Sequence, residues 1–306
     1  MNKTKQHKIL EHMAARGMIK DQTLEQKLNR LKSGYEGEIA FVKWFNQYNH
    51  SYWKLEVDYW FDKDGRKQID DILMATHRWI VVDVKNYFGK FNYLKGDCLL
   101  NGFTMGTDIF DELETKTKKA SQIAAEVSRN IQVDSAMIFI GEHCQVDLDC
   151  VPKAQVVMRN ELFQFIDGLE FAEPMADWLQ KKVATKLDFY RTDERPPDIA
   201  LEPKQFEELK KGIRCGKCSG YNMTANKLWI TCMDCGKKES YKETICRHAI
   251  ELRYLFYYYP EMGTTKNIYE LMGGKISKRS IRRYLSIEFT PSNGGNGCYY
   301  AVKLKQ

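Results

Sequence analysis

The chain has 306 residues and a mass of 35.8 kDa, about twice a typical single domain, so we expect two or three domains with at least one sizeable core. Its 43% apolar and 29% charged residues exclude a disordered or collagen-like chain. No apolar run approaches the roughly 18 to 20 residues that cross a bilayer, and the charged N-terminus lacks the apolar stretch of a secretory signal. These features predict a cytoplasmic protein with no membrane partner.

Charge is divided unevenly along the chain. The net charge is +6, but residues 203–306 hold 19 Lys and Arg against 9 Asp and Glu, a local balance of +10, whereas residues 1–202 carry −4. A basic segment joined to an acidic one is typical of a chain whose basic part contacts a polyanion. The alternative is that the excess charge only keeps this segment in solution.

The first 190 residues predict strands and helices that alternate in an α/β layout. A polar helical pattern over residues 1–32, expected to be exposed or loosely docked, ends near Gly34, and a better buried helix follows with Glu38 in its first turn. The later predicted elements are strands 53–61 and 68–74, a buried strand 79–85, a hairpin within 90–100, a helix 116–130, strands 135–140 and 156–158, and helices 161–166 and 175–189.

Proline and charged residues mark a boundary after these elements. The stretch Thr192–Asp198 has linker composition, and the residue before each proline is disfavoured in a helix. The predicted domains are an N-terminal helix (1–32), an α/β domain (33–190), a linker (191–211), a cysteine-rich segment (212–240) and a C-terminal domain (241–306).

Two CxxC pairs predict a metal site in the cysteine-rich segment. Cys215 and Cys218 form the first pair, and Cys232 and Cys235 follow after thirteen residues. Each CxxC turn can place two thiolates on one side of a tetrahedral Zn²⁺, and the strand predicted at 227–231 between the pairs gives the layout of a zinc ribbon. Two disulfides are the alternative, but they would require an oxidising compartment that nothing else in the sequence supports.

The C-terminal domain predicts three helices followed by a hairpin. The helices cover 243–259, 264–272 and 278–285, and the hairpin strands 286–289 and 299–304 flank a loop at 291–297. This order resembles a winged helix-turn-helix, whose third helix enters the major groove of DNA. That helix presents a basic face as the candidate DNA-binding surface, formed by Lys278, Arg279, Arg282 and Arg283. An ordinary small packing unit with a solvated basic face is the alternative.

Charged residues interrupt strands that otherwise belong to a core. Asp83 and Lys85 are separated by two positions, so strand geometry directs both side chains to one face. Buried charges persist when they are paired or bind a metal. A simple Asp83–Lys85 pair or a half-exposed edge strand would explain this strand alone, but Asp70 ends the adjacent strand and brings a second carboxylate beside Asp83.

These residues occur in an order that resembles a known family. The motifs are Gly34-x-x-Gly37-Glu38, Gln68-Ile69-Asp70 before an apolar strand, Asp83-x-Lys85 followed by Asn86 and Gly89, and Gln122 in the later helix. Over about residues 30–165 they resemble the nuclease-related domain (NERD) of the PD-(D/E)xK restriction-endonuclease-like superfamily. The resemblance implies a mixed sheet flanked by helices, with an αβββαβ core and an acidic cluster at one edge.

The resemblance also implies a role for each residue. Asp70 and Asp83 are expected to hold Mg²⁺ or Mn²⁺, Lys85 to stabilise charge or orient water, and Glu38 and Gln122 to assist from helices. Glu38 could complete the metal shell, whereas the neutral Gln122 could only position water. The chain departs from the family in having Asp83 where a glutamate is usual and Asp71 where a histidine or apolar residue is expected, and we expect Asp71 to face the other side of its strand and to be exposed.

The sequence therefore predicts a metal-dependent DNA endonuclease with structural zinc. Phosphodiester hydrolysis needs an activated water, neutralised phosphate charge and hard oxygen ligands for Mg²⁺, and this set of residue types supplies them. Double-stranded DNA is the expected partner, and a homodimer is left open. The alternatives are an inactive nuclease-like DNA-binding or docking protein, and an RNA-processing nuclease that uses the same site.

Overall fold

The chain forms two compact units, which we describe separately. The computed structural model describes residues 1–49, 52–94, 96–169, 173–294 and 297–302. Unit 1 comprises Met1–Asn2 and Asn29–Glu194, and unit 2 comprises Lys3–Leu28 and Arg195–Gln306. Within the described ranges, every helix is too short or too polar to cross a lipid bilayer.

The structure contains eight α-helices and fourteen strands over the residues that it describes. In chain order they are α1 Lys5–Ala15, α2 Gln22–Tyr48, β1 Lys54–Asp62, β2 Arg66–Met74, β3 Arg78–Lys85, β4 Gly89–Leu94, β5 Asp97–Leu100, β6 Phe103–Thr104, α3 Ile109–Val127, β7 Gln132–Phe139, β8 Cys144–Leu148, β9 Gln155–Met158, α4 Leu162–Asp167, α5 Asp177–Tyr190, β10 Met223–Ala225, β11 Trp229–Cys232, β12 Lys238–Ser240, α6 Tyr241–Leu255, α7 Thr265–Leu271, α8 Lys278–Glu288, β13 Thr290–Gly294 and β14 Gly297–Ala301.

A mixed five-stranded sheet forms the centre of unit 1. Its strand order is β1-β2-β3-β7-β9, with β1, β2 and β3 antiparallel and with β7 and β9 parallel to β3. One face packs against α3 and α5, and the other packs against α2 and α4. The predicted αβββαβ order is confirmed as α2-β1-β2-β3-α3-β7. β3 therefore lies between two strands and two helical layers, which explains its nearly continuous apolar sequence.

A second sheet continues from the end of β3. Its order is β6-β5-β4-β8, in which β4 and β5 form the predicted hairpin and β8 pairs with β4 in parallel. The helix predicted to begin at residue 116 begins earlier, at Ile109, because the carboxylate of Asp108 accepts hydrogen bonds from Phe110 N and Asp111 N. Lys116 consequently lies inside α3, two turns from its start.

Helix α2 does not end near Gly34, as the sequence predicted. It continues to Tyr48, and its passage over the chain after β3 is fixed by two reciprocal hydrogen bonds: Ser33 Oγ donates to Asn86 O at 2.9 Å and Asn86 Nδ2 donates to Ser33 O at 2.9 Å. A Cβ at position 37 would lie 2.6 Å from Asn86 Cβ, so only glycine fits there. This contact carries Glu38 to the end of β3.

The N-terminal helix is not loosely docked, contrary to the sequence expectation. Ile9, Leu10 and Met13 of α1 are buried, and α1 packs on α6 in unit 2. Arg16, which caps α1, is fully buried and forms a bidentate pair with the buried Glu251, with Nε–Oε1 and Nη2–Oε2 distances of 2.9 Å. Burial of a charged group costs free energy unless the group is paired in this way.

The residues predicted as a linker, 191–211, contribute to the core of unit 2. Leu201, Phe206 and Leu209 are buried, and a short 3₁₀ helix covers Pro203–Phe206. The predicted ribbon follows and contains three strands, in the order β10-β11-β12. The sequence predicted only the strand that corresponds to β11 and its pairing with the region around Tyr221.

The end of the chain follows the predicted order of helices α6, α7 and α8 and a hairpin. The hairpin differs from the prediction, because α8 continues to Glu288 and β13 occupies most of the predicted loop, with Thr290 opposite Ala301. Residues 295–296 and 303–304 of the predicted hairpin lie outside the described residues.

We predict that Arg16→Met strongly destabilises unit 2. The substitution leaves Glu251 buried without its bidentate partner, and loss of one member of a buried pair costs about 3–5 kcal/mol. Hydrogen exchange of the α6 amides measures the change. The control is Lys20→Met, which breaks the exposed Lys20–Glu208 pair and should cost no more than about 1 kcal/mol. Equal exchange rates in the two variants would contradict the role of the buried pair.

Candidate functional site

The site begins with a buried carboxylate on the central strand. Asp83 is 1% exposed, and its Oδ1 atom lies 2.5 Å from the ammonium of Lys85. Its Oδ2 atom accepts a hydrogen bond of 2.7 Å from Lys116 of α3. The structure thus brings Asp83 and Lys85 together, as the i, i+2 spacing predicts, and adds a second cation from the facing helix.

The charges of this group stabilise one another. Burial alone would raise the pKa of Asp83, but the ammoniums of Lys85 and Lys116 outweigh that effect and lower it to about 2. Burial would lower the pKa of Lys85 and of Lys116, and Asp83 outweighs it in both and raises them. All three groups are therefore charged at neutral pH.

Asp70 joins this group from β2. Its Oδ2 atom accepts a hydrogen bond of 3.1 Å from Val84 N, which holds the carboxylate against β3. Burial and then the charge of Asp83 raise the pKa of Asp70, whereas the charges of Lys116 and Lys85 oppose that rise. Asp70 therefore lies within the electrostatic reach of Asp83, as the sequence predicted.

Glu38 lies on α2, close enough to these carboxylates for their charges to affect its pKa. Burial and then the charges of Asp70, Asp58 and Asp83 raise the pKa of Glu38 to about 8. Asp58 had not been singled out from the sequence. It lies within β1 with φ of 52°, an unusual conformation for a residue other than glycine, and a local outlier of this kind is common at functional sites.

Gln122 is not part of this group. It is exposed on α3 and has no hydrogen bond to the site within the part of the chain that the structure describes. Gln122 lies six positions after Lys116, so its side chain is rotated by about 240° around the helix axis relative to that of Lys116. The helical position at the site belongs to Lys116.

Sequence reasoning missed Lys116 although a signal was present. The sheet-facing stripe of α3 includes Leu113, Ala120, Ile123 and Val127, and Lys116 falls at the i+3 position after Leu113. A lysine on the apolar stripe of a helix needs a buried partner. The signal was hidden because the helix had been expected to begin at residue 116.

The carboxylates fit a hard divalent cation by their chemistry. Glu38, Asp70 and Asp83 offer oxygen ligands, and burial, followed by repulsion between like charges, raises the pKa of Glu38 and of Asp70; Mg²⁺ or Mn²⁺ would relieve that repulsion. These carboxylate oxygens lie farther apart than the four cysteine sulfurs of unit 2. Among the described residues, those sulfurs form the set of at least three possible metal ligands within 4.8 Å of one another.

The four predicted cysteines of unit 2 do converge. Cys215 and Cys235 sulfurs lie 3.6 Å apart, and Cys218 and Cys232 sulfurs lie 3.5 Å apart. In a tetrahedral site with Zn–S distances of about 2.3 Å, the sulfurs lie about 3.8 Å apart. The four cysteines are free thiols in the structure, and their arrangement is compatible with structural zinc.

Helix α8 presents its basic residues to solvent. Ser277 begins the helix by accepting a hydrogen bond from Ser280 N at 3.2 Å, and Ile281 and Leu285 are buried. The opposite side carries the four candidate DNA-binding residues, all of them exposed: Lys278, Arg279, Arg282 and Arg283.

Comparison with known proteins finds one family. Residues 33–140 match the family model of the nuclease-related domain, NERD. The matched range includes Glu38, Asp70, Asp83, Lys85 and Lys116, and it ends directly after β7. Searches of curated proteins and of solved structures find no match.

Asp71 is buried, not exposed as the sequence predicted. It lies opposite Val82, whose side chain packs in the core on the α2 side of the sheet, so the predicted change of face is correct. That face is covered, and Asp71 is 0% exposed with no hydrogen-bond partner for either carboxylate oxygen among the described residues. Burial and then the charges of Asp70 and Glu38 raise its pKa well above the usual value.

We predict that Asp71→Leu stabilises the protein by about 1–3 kcal/mol, because a buried polar group without a hydrogen-bond partner costs about that much. Asp71→Asn should change stability little, since it replaces one uncharged polar group with another. Urea unfolding followed by circular dichroism measures both, with the exposed Asp97→Asn as the control. A large loss of stability in Asp71→Asn would show that the carboxylate is charged and paired.

Proposed function

We propose that this chain, whose residues 33–140 form a nuclease-related domain, is a Mg²⁺-dependent endonuclease that hydrolyses phosphodiester bonds of DNA. The observation that carries the proposal is the buried Asp83, paired with Lys85 and Lys116 and adjacent to Asp70 and Glu38, inside the matched range. The ribbon and the C-terminal domain of unit 2, interpreted as a winged helix, are proposed to hold the DNA.

Glu38, Asp70 and Asp83 would hold the divalent ion. When bound, the ion polarises a phosphoryl oxygen and activates water as a nucleophile. Lys85 offsets the charge that develops on the phosphate, because its ammonium is fixed by Asp83 and costs little reorganisation during the reaction. Asp70, held by Val84 N, keeps its carboxylate directed toward the same edge of the sheet.

Lys116 is assigned a second role at the same place. Both oxygens of Asp83 contact ammoniums in the structure, and each oxygen keeps a second lone pair that could coordinate a metal. Lys85 projects from the same strand as Asp83, whereas Lys116 reaches it from α3 with a long, flexible side chain. We assign to Lys116 a contact with the substrate phosphate, made by its ammonium while Asp83 holds it in place.

A cytoplasmic location agrees with this function. The four free cysteines at metal-site spacing support this location, because oxidation to disulfides would remove the zinc ligands. Structural zinc then maintains the ribbon.

We predict that the wild-type chain with Mg²⁺ nicks supercoiled plasmid and that Asp83→Asn and Lys85→Met each lower the rate by at least about 10²-fold. Lys116→Met should lower it by about tenfold or more, whereas Gln122→Ala should leave it unchanged. Lys118→Met is the matched control, since Lys118 lies on the same helix and is 72% exposed. Gel electrophoresis of the plasmid gives the rates.

Three results of this assay would contradict the proposal. Inert wild type with both Mg²⁺ and Mn²⁺ would favour an inactive nuclease-like module that binds or docks DNA. Cleavage of a structured RNA in place of plasmid would favour RNA processing by the same site. If Gln122→Ala lowers the nicking rate as much as Lys116→Met does, Gln122 acts at the site from α3 as the sequence predicted.

We predict that the double substitution Arg282→Ala with Arg283→Ala weakens duplex binding and lowers the slope of log K against log salt by about 1.8, or 0.9 for each lost phosphate contact. Fluorescence anisotropy with a labelled duplex, in an Asp83→Asn background, measures the slope. The charge-matched control is Lys20→Ala with Lys204→Ala, two exposed lysines of unit 2. An unchanged slope in the arginine variant would reject α8 as the docking surface.

A further inference from the structure

The ribbon sheet of unit 2 has one covered face and one open face. Ile230 and Cys232 of β11 are buried, and Met223 of β10 lies opposite Cys232 on the same side. Alternation along the strand directs Trp229 and Thr231 to the other side. Trp229 is 45% exposed there, so an indole ring lies on a sheet surface open to solvent.

Other side chains extend this open face into a small platform. Thr224 and Lys238 lie opposite Thr231 on the two neighbouring strands, so both share the face with Trp229. Met233 is 59% exposed and lies 3.4 Å from Thr224 Oγ1 through its sulfur atom. The platform therefore consists of one aromatic ring, one thioether, two threonines and one lysine.

Exposed lysines are frequent in the ribbon that carries the platform. Lys217, Lys227, Lys237 and Lys238 are all exposed, and none of them is within salt-bridge distance of a carboxylate in the described part of the chain. Of the two acidic side chains of the ribbon, Glu239 pairs with Arg247 at 2.8 Å, whereas Asp234 accepts a hydrogen bond from the neutral amide of Asn222 at 3.0 Å and keeps its charge. Four lysines against one unpaired carboxylate leave the net charge of the ribbon surface positive.

The turn that presents Trp229 is held in place. Asn226 Oδ1 accepts hydrogen bonds from Leu228 N at 2.9 Å and from Trp229 N at 2.8 Å, and Asn226 N donates to Trp229 O at 2.9 Å. Tyr241 Oη donates to Asn226 O at 2.7 Å, which ties the turn to the first residue of α6. A preorganised aromatic ring loses little entropy when a planar ligand stacks on it.

We propose that the open face of the ribbon, formed by Trp229, Met233 and Lys238, binds single-stranded nucleic acid, with an unstacked base on the indole ring of Trp229 and backbone phosphates on the exposed lysines of the ribbon. Bases in a duplex stack on one another and do not offer a free planar face, whereas bases of a single strand do. The exposed lysines of the ribbon favour a phosphate backbone over a protein partner, because the latter would leave these positive charges uncompensated.

This inference deepens the proposed function, since it assigns the ribbon the single-stranded part of a substrate whose duplex part is assigned to α8. It also separates the two surfaces by chemistry. On the α8 face, two of the four cations cover half-buried rings, with Lys278 5.0 Å from the ring of Tyr269 and Arg283 5.7 Å from that of Tyr284, whereas the ribbon offers an exposed ring.

The test compares a labelled dT20 oligonucleotide with a labelled 20-base-pair duplex by fluorescence anisotropy. The full chain is used in an Asp83→Asn background without added divalent ions, so that no cleavage interferes. Trp229→Ala should weaken dT20 binding by about tenfold or more and duplex binding by less than about twofold. Trp229→Phe should retain most of the dT20 affinity, because the ring is preserved.

Two further variants make the result specific. Lys238→Met should lower the salt slope for dT20 by about 0.7, the value for one phosphate contact to a single strand. Trp178→Ala is the matched control, because Trp178 is also exposed, at 65%, but belongs to unit 1. It should leave dT20 binding unchanged. Elemental analysis for zinc checks that each ribbon variant remains folded, and Lys238→Met carries the test if Trp229→Ala loses its zinc.

Several results would overturn the proposal. Unchanged dT20 affinity in Trp229→Ala that retains zinc, or an equal loss on dT20 and on duplex, would reject stacking of an unpaired base. A change of oligomeric state in Trp229→Ala with dT20 affinity unchanged would show that the face contacts a second copy of the chain. Because the measurement involves no cleavage, inactivity of the Asp83 site in the plasmid assay leaves this test intact.

Discussion

The pairing of Asp83 with two ammoniums is the constraint on which unit 1 depends. A carboxylate that is 1% exposed remains charged only where opposite charges compensate it, and here Lys85 comes from its own strand and Lys116 from α3. The pairing therefore specifies how α3 lies on the sheet as well as the charge of the site. Removal of either lysine would leave a buried charge partly uncompensated, so structure and chemistry are coupled at this point.

The surrounding carboxylates lack equivalent compensation. Asp70 and Glu38 have raised pKa values, and Asp71 is buried with no hydrogen-bond partner for its oxygens in the described structure. One edge of the sheet thus concentrates acidic groups that repel one another. In a protein whose stability is a small difference between large terms, such an arrangement is retained where it serves function. A divalent cation is the charge that would relieve it.

Unit 2 handles its charges in the opposite way. Its buried Arg16 and Glu251 are paired with each other, and its excess positive charge is left on surfaces. The basic face of α8 and the exposed lysines of the ribbon form such surfaces. The opposite signs of the two parts of the chain, visible in composition, therefore correspond to different structural uses: acidic groups gathered inside one unit and basic groups displayed outside the other.

The sequence by itself determined the local features: the strand order β1-β2-β3, the i, i+2 pair of Asp83 and Lys85, the CxxC spacing and the basic face of α8. Periodicity and spacing carry this information because they depend on neighbours in the chain. Only the tertiary structure decided that α2 continues past Gly34, that α1 is part of unit 2, that Lys116 occupies the position expected for Gln122, and that Asp71 is buried. Each of these depends on which distant element covers a residue, and a single sequence records a residue's own preferences but not the partner that the fold places against it.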